Sequence, residues 1–386
     1  MAAVHIPSRT TCSPPSDPLD GVIDAALVAE ACAVIPTWPG YAPTPLVDLP
    51  GLAAHAGVGR VMIKDEAGRF GLGSFKALGG AFAVWLALRD LAPDAVVQAV
   101  VVTASDGNHG LSVAWGARRF GCGCKIYLHE NVSAGRAALI EAQGAEVVRV
   151  AGNYDDSTRQ AQADAAAHGW TLVSDTALDV GDQQPGQVMA GYGVMLREIV
   201  EQASEAPTHV FVQGGCGGLA AAVFGLLWDA WPRRPRFVVV EPDKADCLFQ
   251  SARAGRPTRI HGDLDTVMAG LSVGEPSATA WKTVWATAEA FLTISDAAAI
   301  EAMRALADGR FGDPPRVAGD AGVAGLAGLL ATAGDPALRD MLGLDEASRV
   351  LAIVTEGAVD GEAYALFVGR EAAAVQGEAD AKAGAA

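Results

Sequence analysis

The feature that most constrains this chain is an alternation of short apolar runs with longer stretches of helical period. Val97 to Thr103, Cys124 to Leu128, Glu146 to Val150, Thr171 to Val173, His209 to Val212, Phe237 to Val240 and Val350 to Val354 read as buried strands. Gly110 to Phe120, Ala134 to Gln143, Ser157 to His168 and Leu219 to Trp231 read as helices between them. Strands that lack polar alternation, each followed by a helix, predict parallel sheets covered on both faces, an α/β fold. At about 100–200 residues per domain, the chain of 386 residues is expected to hold two or three domains.

Composition narrows the partners. With 28 Lys+Arg against 45 Asp+Glu the net charge is −17, which argues against a nucleic-acid or anionic membrane partner. The 51% hydrophobic content excludes a disordered polyanion. The longest apolar run, Leu219 to Leu227, is shorter than the roughly 18 residues of a membrane helix. Met1 to Thr11 lack a secretory pattern, so the expectation is a soluble, cytoplasmic protein. Cysteines are scattered or, at Cys122 and Cys124, separated by one glycine, and no H-E-x-x-H occurs, so no metal site is expected. The first forty residues read as an extended arm with one short helix near Ala25 to Ala33, and Glu371 to Ala386 as a frayed tail.

In folds of this kind ligands sit at the carboxyl ends of the strands. Those ends carry Ser105-Asp106-Gly107-Asn108-His109-Gly110, Ser174-Asp175-Thr176, Gln213-Gly214-Gly215-Cys216-Gly217-Gly218 and Thr355-Glu356-Gly357. Strand-to-helix turns favour Gly, Asn and Asp on their own account, so each turn taken singly has a bland reading as well. Gly214 to Gly218 lets backbone N–H groups converge where a helix begins, a cradle for phosphate. Gly215-x-Gly217-x-x-Ala220 also matches the dinucleotide fingerprint, with Glu241 at the end of the next strand as a ribose partner. Lysine separates a dinucleotide from a smaller phosphate. Of the six lysines, Lys76 stands between Phe75 and Ala77-Leu78 at the start of an apolar helix. Apolar surroundings are expected to lower its pKa and make it a nucleophile towards an aldehyde. An aldehyde together with a phosphate means pyridoxal 5′-phosphate.

Ser74-Phe75-Lys76, Ser105-Asp106-Gly107-Asn108-His109-Gly110 and the Gly214–Gly218 loop resemble fold type II pyridoxal-phosphate enzymes, the group of threonine dehydratase and tryptophan synthase β. Further stretches sharpen the resemblance to the diaminopropionate ammonia-lyases. They are Gly40-Tyr41-Ala42-Pro43-Thr44-Pro45-Leu46, Lys64-Asp65-Glu66, Arg69-Phe70-Gly71-Leu72, Gly152-Asn153-Tyr154-Asp155-Asp156, Val240-Glu241-Pro242-Asp243-Lys244, Met268-Ala269-Gly270-Leu271 and Thr355-Glu356-Gly357. The resemblance implies two parallel-sheet domains with the cofactor between them. Residues 1–79 and 181–386 would form the large domain and residues 80–180 the small one. Lys76 would bind the cofactor's aldehyde and shuttle protons. Gly214, Gly215, Cys216, Gly217 and Gly218 would hold the phosphate, Asn108 the 3′-oxygen, Thr355 the pyridine nitrogen and Phe75 the ring. Asp106 and Asp175 would act as bases for the two enantiomers.

The implied reaction is β-elimination of ammonia from D- or L-2,3-diaminopropionate by a homodimer. Leu178 to Gly186 departs from the family pattern, and Asp320 stands where the family has glutamate. These departures keep open a lyase or dehydratase for serine, threonine or 3-hydroxyaspartate. A nicotinamide-dependent oxidoreductase and a non-catalytic binding module remain readings from other classes.

Overall fold

A computed structural model describes residues 2–7, 17–105, 107–152, 154–177 and 182–383. In chain order its strands are β1 (Ala3–His5), β2 (Leu46–Asp48), β3 (Arg60–Asp65), β4 (Val100–Ala104), β5 (Gly123–His129) and β6 (Glu146–Val150). They continue with β7 (Thr171–Leu172), β8 (His209–Gln213), β9 (Arg236–Pro242), β10 (Ala290–Ile294) and β11 (Arg349–Val354). Two sheets result, one ordered β1-β10-β9-β8-β11-β3-β2 and the other β6-β5-β4-β7. The smaller sheet is parallel throughout. The larger is parallel from β10 to β3, and its edge strands β1 and β2 run antiparallel.

The apolar runs reflect burial on both faces. On β8 and β9, Val210, Val212, Phe237 and Val239 share one core with Ala221, Val223 and Phe224 of the helix Gly218–Leu227. Their alternates Phe211, Val238 and Val240 enter a second core with Leu326 and Ala327 of the helix Ala324–Ala333. A residue of either kind on these strands therefore meets apolar surface, which removes the polar alternation of a half-exposed strand.

Four expectations need revision. Val97 is exposed and belongs to a helix, Pro93–Gln98, so β4 begins only at Val100; a proline at a helix start is pre-set for that turn. The strand β3 carries charge at three of its positions, Arg60, Lys64 and Asp65, and so gave no apolar run, yet Lys64 is fully buried. The N-terminal arm holds a strand, paired through Val4 and Leu292 to β10, as well as its helix Ala25–Val34. The C-terminal stretch is a helix, Ala372–Ala383, anchored by a fully buried Val375 and an Arg370–Glu378 ion pair. Among the described residues no helix is long and apolar enough to cross a membrane.

Candidate active site

Lys76 opens the helix Lys76–Leu88 and reaches it through residues 66–75, which leave the end of β3. Backbone bonds tie that segment to β11 and the turn after it. The Glu66 N–H donates to Val354 O at 2.9 Å, the Phe75 N–H to Thr355 O at 3.0 Å and the Gly357 N–H to Gly73 O at 2.9 Å. Beneath it Lys64, Glu66, Arg69 and Glu198 are all buried. The Arg69 guanidinium donates to Glu66 and Glu198, each at 2.7 Å, and Lys64 Nζ donates to Glu198 at 2.7 Å. Two cations thus face two anions, the balance that buried charge requires. Phe70 within the segment has φ +52°, a left-handed conformation that a bulky side chain rarely adopts.

The Lys76 ammonium donates to Asp175 Oδ2 at 2.5 Å. Burial alone would lower the Lys76 pKa, but the Asp175 carboxylate outweighs it, and the net shift is upward. The expectation of a bare amine in apolar surroundings is therefore corrected: the lysine is held charged by an acid. Asp175 is pushed in the opposite direction. Burial works to raise its carboxyl, and the Lys76 ammonium beside it more than reverses that, so it stays ionised. His109 Nε2 lies 3.0 Å from Val173 O and so must carry its hydrogen there, leaving Nδ1 unprotonated 3.8 Å from Asp175 Oδ2. Burial lowers the pKa of this ring, consistent with a neutral imidazole. Burial also raises Cys216, which remains a thiol.

The turn after β8 supplies the glycine loop. Gly215 and Gly217 have φ of +62° and +97°, where side chains are strained, and the helix Gly218–Leu227 follows directly. A Cβ on Gly214 would lie 2.5 Å from Glu241 Cγ. The Gly214 and Gly217 N–H groups bond Val240 O and Gly214 O, so the donors left to the loop come from Gly215, Cys216 and Gly218. Glu241 is fully buried and accepts the N–H groups of Leu248 and Phe249 at 2.9 and 2.7 Å. Its carboxyl group braces the loop from behind and has no route to a ribose, which removes the support for a dinucleotide.

Thr355 follows β11. Its Oγ1 lies 3.1 Å from Gln213 Nε2, which also donates to Gly322 O and Ile353 O. An amide nitrogen accepts no hydrogen, so the threonine hydroxyl hydrogen turns away from Gln213 and stays available to an acceptor. Asn108 begins the helix Asn108–Phe120 and donates from Nδ2 to Glu356 Oε2. Its Oδ1 is buried with no partner among the described residues. Phe75 packs against Tyr192 with ring centroids 4.8 Å apart.

The fold thus brings Lys76, Phe75, Asn108, Asp175, Cys216 and Thr355 to one place, at the carboxyl ends of strands from both sheets. Asp106 and residues 178–181 of the divergent segment lie outside the described residues. Sequence reasoning gave no role to Gln213, the last residue of β8, to Tyr192, which joins the helices Gln184–Gly191 and Gly193–Gln202, or to Glu198 within the second of these. Fit to pyridoxal phosphate can be judged from the donors and acceptors left over. A glycine loop at a helix start suits phosphate, a free hydroxyl hydrogen suits a pyridine nitrogen, and an orphaned amide oxygen suits the hydroxyl next to an aldehyde. The residues fit.

Residues 37–356 match the family described as pyridoxal-phosphate dependent enzyme. Diaminopropionate ammonia-lyase of Escherichia coli strain K12 is 37% identical over 345 residues, covering 84% of this chain and 87% of that protein. The Salmonella typhimurium counterpart is 36% identical over 354 residues, 84% of this chain and 88% of its own. A crystal structure of the Escherichia coli enzyme in complex with D-serine superposes with a TM-score of 0.86 at 32% identity, over 95% of this chain and 97% of that one. The chain therefore belongs to the pyridoxal-phosphate dependent enzymes of fold type II, in the diaminopropionate ammonia-lyase family.

Proposed function

We propose that the protein eliminates ammonia from 2,3-diaminopropionate to give aminoacrylate, which water hydrolyses to pyruvate and a second ammonia. The observation that carries this is the half-buried pairing of Lys76 with an ionised Asp175 beside the glycine loop. Pyridoxal phosphate, when bound, acidifies the α-hydrogen of an amino acid and takes up the electron pair left behind. The chain's own residues do the rest. Lys76 is the amine that holds the aldehyde carbon. Gly215, Cys216 and Gly218, within the Gly214–Gly218 loop, offer N–H groups to the phosphate. Thr355 donates to the pyridine nitrogen, Asn108 binds the 3′-oxygen and Phe75 flanks the ring.

Asp175 suits both halves of the elimination. As an ionised carboxylate it accepts the α-proton, and its charge attracts the ammonium group that must leave. Asp106 is the matching base for the other enantiomer. We take residues 80–180 as the small domain and the working unit to be a cytoplasmic homodimer, to be checked by sedimentation.

Borohydride reduction of the holoenzyme followed by peptide mapping should place the pyridoxyl group on Lys76, and Lys76→Ala should lose both the label and turnover. Asp175→Asn should lower release of ammonia and pyruvate by about 10²–10⁴-fold, mainly on the L-isomer. Asp106→Asn should do so mainly on the D-isomer. Equal losses on both isomers would make the aspartates substrate ligands instead of bases that choose the hand. No turnover of either isomer by the unmodified protein would sink the substrate.

A further inference from the structure

Asp320 and Glu356 are two buried acids, 8% and 3% exposed, that the chemistry above leaves unused. They share one donor: the Ala321 N–H points at Asp320 Oδ1 at 2.7 Å and at Glu356 Oε1 at 3.2 Å. Two carboxylates this close in a buried site relieve their repulsion by holding one proton between them. Burial raises the Asp320 carboxyl to about 7, the Glu356 charge adds to the rise and Arg136 opposes it. Asp320 is therefore the member of the pair that carries the proton, and it hydrogen-bonds to Glu356.

The same Glu356 accepts from Asn108 across the two sheets. An anionic carboxylate only accepts, so the Asn108 atom that faces it is Nδ2, and Oδ1 is the atom left over. Arg136 from the helix Ala134–Glu141, and Asp360 and Tyr364 from the start and middle of Gly361–Val368, line the cavity beside the pair. Asp360 is occupied by the Ala363 N–H and by Ser133, and burial keeps the Tyr364 phenol neutral. Asp106, which precedes this turn of Asn108, lies outside the described residues.

We propose that the Asp320–Glu356 pair is a positioning device that turns the Asn108 amide so that its oxygen faces the cofactor's 3′-oxygen and keeps that oxygen a hydroxyl. The proposal rests on the pyridoxal-phosphate site read above. Loss of the shared proton sets two anions against each other, Glu356 gives up its hold, and Asn108 is free to present its N–H groups and favour the deprotonated 3′-oxygen. The pair thereby links pH to the electronic form of the bound cofactor.

The absorbance of the bound cofactor reads this without reference to turnover. In the holoenzyme, raising the pH from about 5 to about 9 should shift absorbance from the short-wavelength, 3′-hydroxyl form to the long-wavelength form. Asp320→Asn keeps an N–H donor towards Glu356 at every pH and should hold the short-wavelength form throughout. Glu356→Met removes the acceptor that holds the Asn108 amide and should show the long-wavelength form throughout. Asp320→Glu should keep the transition. Asp320→Asn and Glu356→Met keep side-chain size closely, so folding is expected to survive. An absorbance spectrum that does not change with pH, or an Asp320→Asn spectrum that titrates like the unmodified protein, overturns the pair alone. A protein that takes up no pyridoxal phosphate overturns the cofactor site and the pair with it.

Discussion

Gly217 illustrates how one backbone angle shapes the site. A Cβ there would make only ordinary contacts, 3.4 Å from Leu248 and 3.5 Å from Ala280, so space does not forbid a side chain. Its φ of +97° does. Strain of this kind costs about 1–3 kcal/mol, most for a β-branched residue. Gly217→Val should therefore weaken pyridoxal-phosphate binding by about tenfold or more in equilibrium titration, since relaxing the loop misdirects its N–H groups. Glu241, behind the same loop, makes a pH prediction. Burial raises its carboxyl from an ordinary 4.5 to about 8, so the folded protein keeps a proton that the unfolded chain surrenders. Its contribution to stability is full below pH 4.5 and is lost as the pH rises through 8. Thermal melts of the unmodified protein and Glu241→Gln should show the former falling relative to the latter between these limits. Parallel pH curves would refute the assignment.

At the scale of elements, the segment between β3 and the helix Lys76–Leu88 delivers the lysine, and the Lys64–Glu66–Arg69–Glu198 cluster holds that segment down. Removing one partner of a buried ion pair strands the others, typically at about 3–5 kcal/mol. Glu198→Ala should lose stability on that scale by denaturant unfolding, although Glu198 lies in Gly193–Gln202, away from the glycine loop. Strand identity along β8, β9 and β11 was legible because burial on both faces leaves unbroken apolar runs. β3 was not legible, because Lys64 is a charged residue whose partner comes from a helix 134 residues later in the chain.

For the whole molecule, a net charge of −17 means that folding gathers repelling charge. At 0.1 M salt the screening length is about 10 Å, shorter than most distances across the surface. Raising NaCl from low ionic strength towards that value should therefore raise the melting temperature at pH 7, and a lower or unchanged value would show that local pairs dominate. The sequence by itself determined seven of the eleven strands among the described residues, helices that cover them, the glycine loop and the lysine, because each is written in neighbouring residues or in a short period. Only the tertiary structure decided which acid Lys76 meets and what holds Asn108. Lys76 and Asp175 are 99 positions apart, and Asn108 and Glu356 are 248 apart. No local pattern encodes such pairs: they exist because two separate sheets place the carboxyl ends of their strands against each other, and burial there gives every unpaired charge a cost that only a partner removes.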